Sequence, residues 1–276
     1  MAKAEQIGVI PLSYIREGEE HVCLDTEDFD YREYYGALKA GLKVTTSQIN
    51  PQKYVDYMEP ALQEGKDILF VGMSSGISGS LHSAALAAEQ LLNTYEERKI
   101  LVVDTLGASL GEGLLVMEAI SCRKQGMSLQ ETADHLNEMR HHVYQLFTVD
   151  DLMFLKRGGR LSNASALVGT VLNVKPILKG NEHGKIVTFG KVRGRKKVMD
   201  QIAEKYDLLV RNAECQTVCI SHGGCPEDAN LLADMLRKNH PPKDIMIVNH
   251  EPVTGSYLGP GALCVYFRGD RDIRTK

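Results

Sequence analysis

The chain has 276 residues, 43% of them hydrophobic, and a formal net charge of −4. That length supports one large core or two smaller ones, with two lobes expected, and the weakly acidic balance gives no reason to expect nucleic acid or an anionic membrane as partner. No apolar run approaches the roughly 20 residues of a bilayer span, and Met1 to Gln6 lacks the apolar centre of a signal peptide, so a soluble, cytoplasmic protein without an integral membrane segment is expected.

The first apolar run, Ile7 to Leu12, reads as a strand, followed by a short helix around Asp30 to Ala40 that Gly41 closes. Lys43 to Gln48 then reads as a polar, hydroxyl-rich loop. Asn50-Pro51 supplies an N-cap and a first-turn proline for the next helix. Ile68 to Val71 is a buried strand that feeds Gly72-Met73-Ser74-Ser75-Gly76-Ile77-Ser78-Gly79-Ser80, and an alanine-rich helix follows, over about Leu81 to Glu97. A strand–loop–helix junction of this kind gathers backbone N–H groups, the positive end of a helix dipole and several hydroxyls in one small volume, which suits a carboxylate or a phosphate. The strand Ile100 to Val103 ends at Asp104-Thr105 and leads to the helix Leu114 to Arg123. Strands and helices alternating at this spacing imply a parallel α/β sheet, whose ligands gather at the carboxyl ends of the strands.

Ser128 to Glu131 forms a capping box for a helix running to about His142. The texture changes there: Val143 to Val149 is a strand, and a short helix around Asp151 to Leu155 reaches Lys156-Arg157-Gly158-Gly159-Arg160-Leu161-Ser162. Ala164 to Leu178 is apolar on nearly every side and reads as a deeply buried helix or the wall of an apolar cavity. A turn at Gly180 to Gly184 connects to Lys185 to Phe189, and the basic run Lys191, Arg193, Arg195, Lys196, Lys197 follows. Its charges read as a solvated helix entrance or a docking patch for an acidic partner. The helix Val198 to Arg211, a strand near Val218, the helix led by Pro226, and strands Ile245 to Val248 and Ala262 to Phe267 complete a second α/β lobe. Between the last two lies Glu251 to Gly261, shaped by two prolines and three glycines and placed to close over the first lobe.

Several chemistries are tested by these residues. Cys215, Cys219, His222 and Cys225 cluster as in a zinc knuckle, but the spacing fits neither a zinc finger nor a zinc ribbon, and with Thr217 to Ile220 as a strand His222 falls in the following loop. The six cysteines are expected to be reduced thiols. Gly72-Met73-Ser74-Ser75-Gly76 satisfies the Gly-x-Ser-x-Gly elbow, which makes a serine hydrolase using Ser74 the leading alternative, with Asp104 or Asp150 as acid and His222, His240 or His250 as base. Too few strands precede Ser74 for that fold. The glycines near Gly107 make no dinucleotide fingerprint, and no Gly-Lys-Ser/Thr phosphate loop or magnesium carboxylate cluster is present. A binding module for a phosphorylated metabolite is a further alternative.

Thr45-Thr46-Ser47-Gln48, Ser74 to Ser80, Asp104-Thr105, Leu155 to Ser162, Leu172-Asn173-Val174-Lys175-Pro176-Ile177-Leu178 and Gly259-Pro260-Gly261-Ala262-Leu263, in that order over nearly the whole chain, resemble the DegV family. The resemblance implies a two-domain α/β fold, with a parallel-sheet, three-layer N-terminal domain over 1–142 and a mixed-sheet α/β C-terminal domain over 143–276. It implies a lipid-binding protein, with no cofactor, metal or catalytic residue of its own, that holds a long-chain fatty acid between the lobes and presents the carboxylate to a separate ATP-binding kinase subunit. By the same resemblance Thr46 and Ser75, with Ser74 and Tyr257, bind the carboxylate; Ala166, Leu167, Thr170 and Ile177 line the acyl tunnel; and Arg193 and Arg195 face the kinase. Two departures stand out. Family members open with a strand carrying Asp-Ser-Thr, whereas this chain opens at what resembles the following helix, Ala4-Glu5-Gln6, so that first strand is expected to be missing. Tyr257-Leu258 stands where a histidine commonly precedes Gly-Pro-Gly, and tyrosine donates a hydrogen bond but cannot become cationic.

Overall fold

The computed structural model describes residues 2–23, 29–161 and 173–275. Among these residues three sheets organise the chain. β1 (Ser13–Arg16) and β2 (Glu19–Val22) form a hairpin, and β3 (Val44–Ser47) adds antiparallel to β1, pairing Thr46 with Tyr14. Ile7 to Leu12 is therefore not a strand, and the run read as a polar loop is one. Gly8 and Pro11 interrupt the first segment, whereas Val44-Thr45-Thr46 is β-branched and matches an open edge. Ala4-Glu5-Gln6 lies in a turn rather than a helix.

α1 (Tyr31–Lys39) is capped by Asp30, and α2 (Pro51–Gln63) by Asn50 with Pro51 in its first turn. β4 (Ile68–Gly72) and β5 (Ile100–Asp104) form a parallel two-stranded sheet in the register Gly72 to Asp104. α2 and α3 (Ser80–Leu92) cover one face through Tyr54, Met58, Ala84, Ala87 and Leu91. α4 (Leu110–Lys124) and α5 (Leu129–Met139), the latter opened by the Ser128–Glu131 capping box, pack Leu115, Ala133 and Leu136 with Val103.

The third sheet has six strands in the order β10-β9-β11-β6-β7-β8. In chain order these are β6 (Val143–Thr148), β7 (Val174–Gly180), β8 (Ile186–Arg193), β9 (Thr217–His222), β10 (Asp244–Asn249) and β11 (Leu263–Arg268). Within this sheet β9 and β10 run parallel and the other neighbouring pairs antiparallel. α7 (Arg195–Leu209) and α8 (Pro226–Leu236) cover one face, and the other faces α4 and a cleft. α6 (Met153–Arg157) and α9 (Pro252–Leu258) sit at the strand ends, so the shaped loop before β11 contains a short helix.

The apolar stretch read as a helix through Leu178 is a strand from Val174 onward, because Pro176 cannot continue a helix and the turn at Gly180 folds β7 back on β8. Side chains along β7 alternate faces: Ile177 packs with Val198 and Ile202 on the α7 side, and Leu178 joins the opposite core. Ile177 therefore does not line the cleft. Ala166, Leu167 and Thr170 lie outside the described residues. His222 ends β9 rather than lying in a loop.

Candidate functional site

A cleft lies among β3, the start of α3, the β5–α4 loop, α9 and the inner face of the six-stranded sheet. Its wall is built from Met73, Ile77, Leu106, Phe147, Leu155, Ile186 and Leu258, and polar groups enter at a few points. Such a mix of apolar lining and sparse, placed polar groups is the ordinary make-up of a small-molecule site.

The first polar point joins distant parts of the chain. Thr46 Oγ1 on β3 lies 2.6 Å from the Tyr257 hydroxyl on α9, and the Arg160 guanidinium stacks 4.6 Å from the centre of the Tyr257 ring. Arg160 Nε donates to the Ile77 carbonyl at 3.2 Å, which ties it to the loop before α3. All three side chains line the cleft. Two neutral hydroxyls and a held guanidinium form a donor set for a carboxylate. Arg160 lies in a motif that the sequence marks, but nothing in its spacing shows that the guanidinium turns back onto Tyr257.

α9 is fixed from beneath. Glu251 caps it by accepting from Val253 and Thr254, the Tyr34 hydroxyl donates to Pro252 O at 2.7 Å, and the Tyr35 hydroxyl donates to His250 O at 3.0 Å. These ties position Tyr257 from residues more than 200 positions earlier in the chain.

The paired serines sit differently from expectation. Ser75 is exposed, and its hydroxyl donates to Asp104 Oδ2 at 2.6 Å; that carboxylate also receives Leu106 N–H at 2.8 Å. Parallel pairing sets Gly72 beside Asp104, so the acid at the end of β5 captures the hydroxyl that follows β4. Ser74 is fully buried and donates to Gly184 O at 2.9 Å while accepting from Gly76 N–H at 3.1 Å. Neither serine lines the cleft; Ser78 and Ser80, at the entry of α3, do. The serines brace the wall, and among the described residues Ser74 has no histidine partner for nucleophilic chemistry.

Deeper in, Ser109, Gln145, Cys264 and Tyr266 line the cleft. Behind them His250, 1% exposed, contacts Ser221 Oγ at 3.1 Å and Cys264 Sγ at 3.3 Å through Nε2, and Ser109 Oγ at 3.4 Å through Nδ1. Burial, reinforced by His222, pushes the His250 imidazole down to about 3, so it is neutral near pH 7. Burial pushes the Cys264 thiol up to about 12, which leaves it protonated. Desolvation raises Glu112, in the first turn of α4, to about 8, with Glu251 adding to the shift. His250 and Cys264 are thus uncharged near neutrality, and Glu112 is mostly so.

Among the described residues, the donor group that fits a metal best is Glu118, Cys122 and His135, with ligand atoms within 4.8 Å of one another. His135 Nε2 already contacts Glu118 Oε1 at 2.8 Å, and none of the three lines the cleft. Cys215 is exposed and Cys219 is buried in the core, while Cys225 N–H donates to His222 Nδ1 at 3.2 Å. Arg195 is only about one-fifth exposed; its guanidinium lies 2.8 Å from Asp228 and 3.7 Å from Asp150. Arg193, at the end of β8, is exposed.

Fold and cleft together define a mixed α/β protein with a largely apolar cleft that carries hydroxyls and a guanidinium at one polar point. The chain belongs to the DegV family: the family model, described as that of an uncharacterised protein, matches residues 1–269. It is 36% identical over 270 residues, 98% of this chain and 93% of the relative, to the DegV domain-containing protein CPE0026 of Clostridium perfringens. A solved DegV family protein from Thermus thermophilus, described by its fatty acid binding, superposes with a TM-score of 0.88 at 28% identity, covering 98% of this chain and 94% of that one. DegV of Bacillus subtilis, described as a fatty acid binding protein, superposes with a TM-score of 0.83 at 30% identity and the same coverage of 98% and 94%.

Proposed function

We propose that this protein binds a long-chain fatty acid in the cleft, with the carboxylate at Thr46, Tyr257 and Arg160, and presents it to a separate ATP-binding kinase subunit. The observation that carries the reading is the Thr46–Tyr257 hydroxyl pair, with the Arg160 guanidinium over the Tyr257 ring, in a largely apolar cleft. The fatty acid binding of the relatives from T. thermophilus and B. subtilis supports it. Burying an acyl chain yields about 0.8 kcal/mol per methylene, so a chain of about sixteen carbons has a gross term near 12 kcal/mol before ordering costs. The polar end then needs only to orient the carboxylate, which neutral hydroxyls and one cation accomplish without a catalytic residue.

Native mass spectrometry of purified protein, followed by organic extraction, is expected to reveal a bound fatty acid. Protein that is empty and gains no thermal stability from added fatty acid would refute the reading. Presentation to a kinase assigns a contact role to Arg193, which is exposed, more readily than to Arg195, which is occupied by Asp228 and Asp150. Arg193→Ala is expected to lower phosphorylation of the bound lipid by the kinase subunit while leaving lipid affinity unchanged. Equal losses in both would argue against docking there.

A further inference from the structure

α4 and α5 fold back on each other through a turn at Gly126, which has φ +79. Glu118 and Cys122 stand four residues apart on α4, so one helical face carries both, and α5 brings His135 to that face. A carboxylate oxygen, a thiol sulfur and an imidazole nitrogen from the three all lie within 4.8 Å of one another. Glu118 is half-buried, Cys122 buried and His135 exposed, and none of them lines the cleft.

A histidine beside a glutamate on a protein surface is ordinary, and His135 Nε2 lies 2.8 Å from Glu118 Oε1. Two features distinguish this cluster from such a contact. The Cys122 thiol is buried beside the pair, outside the hydrophobic cluster that takes up Cys219 and Cys264. The second oxygen of Glu118 is engaged from another element: Oε2 lies 3.5 Å from Arg268 Nη1 at the end of β11, which leaves Oε1 to face His135. Outer contacts of this kind orient a metal-ligating carboxylate. Glu118 and His135 also line a surface cavity with Glu138, His142, Cys215 and Arg268, through which a small ion and water reach the cluster.

Sulfur and nitrogen donors joined by one carboxylate suit zinc, whereas magnesium and calcium take oxygen ligands. A zinc ion about 2.0–2.3 Å from each donor spaces its ligands about 3–4 Å apart, which these side chains reach by shifts of about 1 Å.

We propose that Glu118, Cys122 and His135 form a zinc site that pins α4 to α5, with water from the cavity as the fourth ligand. Glu118 coordinates through Oε1 and His135 through Nε2, with the imidazole proton on Nδ1; the Cys122 thiol releases its proton to solvent and coordinates as the thiolate. The site lies in the C-terminal half of α4, whereas Ser109 at the start of that helix lines the cleft, so the proposal stands independently of the fatty-acid reading.

The test uses the untagged full chain, stripped of metal with a chelator and titrated with Zn2+ and with Co2+, as wild type and as Cys122→Ser, His135→Gln and Cys215→Ser. The wild type is expected to bind one Zn2+ per chain, to melt at a higher temperature with Zn2+ than with Mg2+, and to show a thiolate-to-metal charge-transfer band in the near ultraviolet with Co2+. Cys122→Ser is expected to abolish that band, and His135→Gln to weaken Zn2+ binding by about a hundredfold or more, beyond what loss of an outer contact costs. Cys215→Ser, which removes the other thiol on the cavity, is expected to bind as the wild type does. His135 is exposed, so His135→Gln keeps the fold and decides the question if Cys122→Ser does not fold. A wild type that binds no Zn2+, Zn2+ affinity that survives His135→Gln, or a charge-transfer band that survives Cys122→Ser or is lost in Cys215→Ser overturns the proposal.

Discussion

Tyr257→Phe isolates the polar end of the cleft. The ring stays, so its packing against Gly158 and the stacked Arg160 guanidinium persist, and only the hydroxyl 2.6 Å from Thr46 Oγ1 is removed. Without lipid the change deletes one neutral hydrogen bond, worth about 1 kcal/mol, and Thr46 is half-exposed and can turn to water. With lipid the lost bond is to a carboxylate, worth roughly 1.5–3 kcal/mol, which corresponds to a roughly 10- to 150-fold rise in Kd. The signature is a large loss of affinity beside a small loss of stability, read by displacement of a fluorescent fatty acid and by thermal denaturation of the lipid-free protein. A Tyr257→Phe variant that binds fatty acid like the wild type would show that the carboxylate sits elsewhere.

Ser74→Ala should destabilise the fold by about 1–3 kcal/mol, since it leaves Gly184 O and Gly76 N–H without their buried partner, whereas Ser75→Ala, at an exposed site, should cost less; paired denaturation curves check the order. A fluorophosphonate probe is expected to leave Ser74 unlabelled, because its hydroxyl is sealed and lacks a base among the described residues. Gly76→Ala places a Cβ 2.5 Å from His183 O, a main-chain atom with little freedom to yield, and should cost about 1–3 kcal/mol in the same assay. His250 is neutral when folded down to about pH 3 but takes up a proton below its ordinary value near 6.5 when unfolded. Its contribution to stability is therefore complete above about pH 6.5 and falls as the solution is acidified, by about 2 kcal/mol between pH 7 and 5. His250→Gln should remove that part of the pH dependence, and equal slopes in the two proteins would contradict the assignment.

The alternation of strand and helix around β4, α3 and β5 was legible because each element carries its own local signal: a short apolar run, a small-residue loop, an alanine-rich helix. The caps at Asp30, Asn50 and Ser128 were legible for the same reason. β1, β2 and β3 were not, because they are short, half-exposed and polar, and β3 is a strand only by pairing with β1 across about 30 residues. The site divides the same way. Thr46 and Tyr257 are brought together by the family resemblance, whereas the choice of Ser75 turns on which acceptor reaches its hydroxyl, and Asp104 does so through a strand pairing invisible along the chain. Ile177 went astray through one step of alternation: its apolar character is right for a wall, and its face of the sheet is the wrong one.

β11 lies between β9 and β6, so among the described strands the β10–β9 pair and the β6, β7 and β8 strands are joined into one sheet only through this late strand. During synthesis at roughly 5–20 residues per second, the two halves of the sheet must wait for residues 263–268 to leave the ribosome before they can be stitched together. A nascent chain thus has no finished cleft in which to trap a lipid. Until β11 pairs, Cys264 and Tyr266 are missing from the cleft wall, so a chain arrested before β11 is expected to be unable to bind rather than to bind weakly.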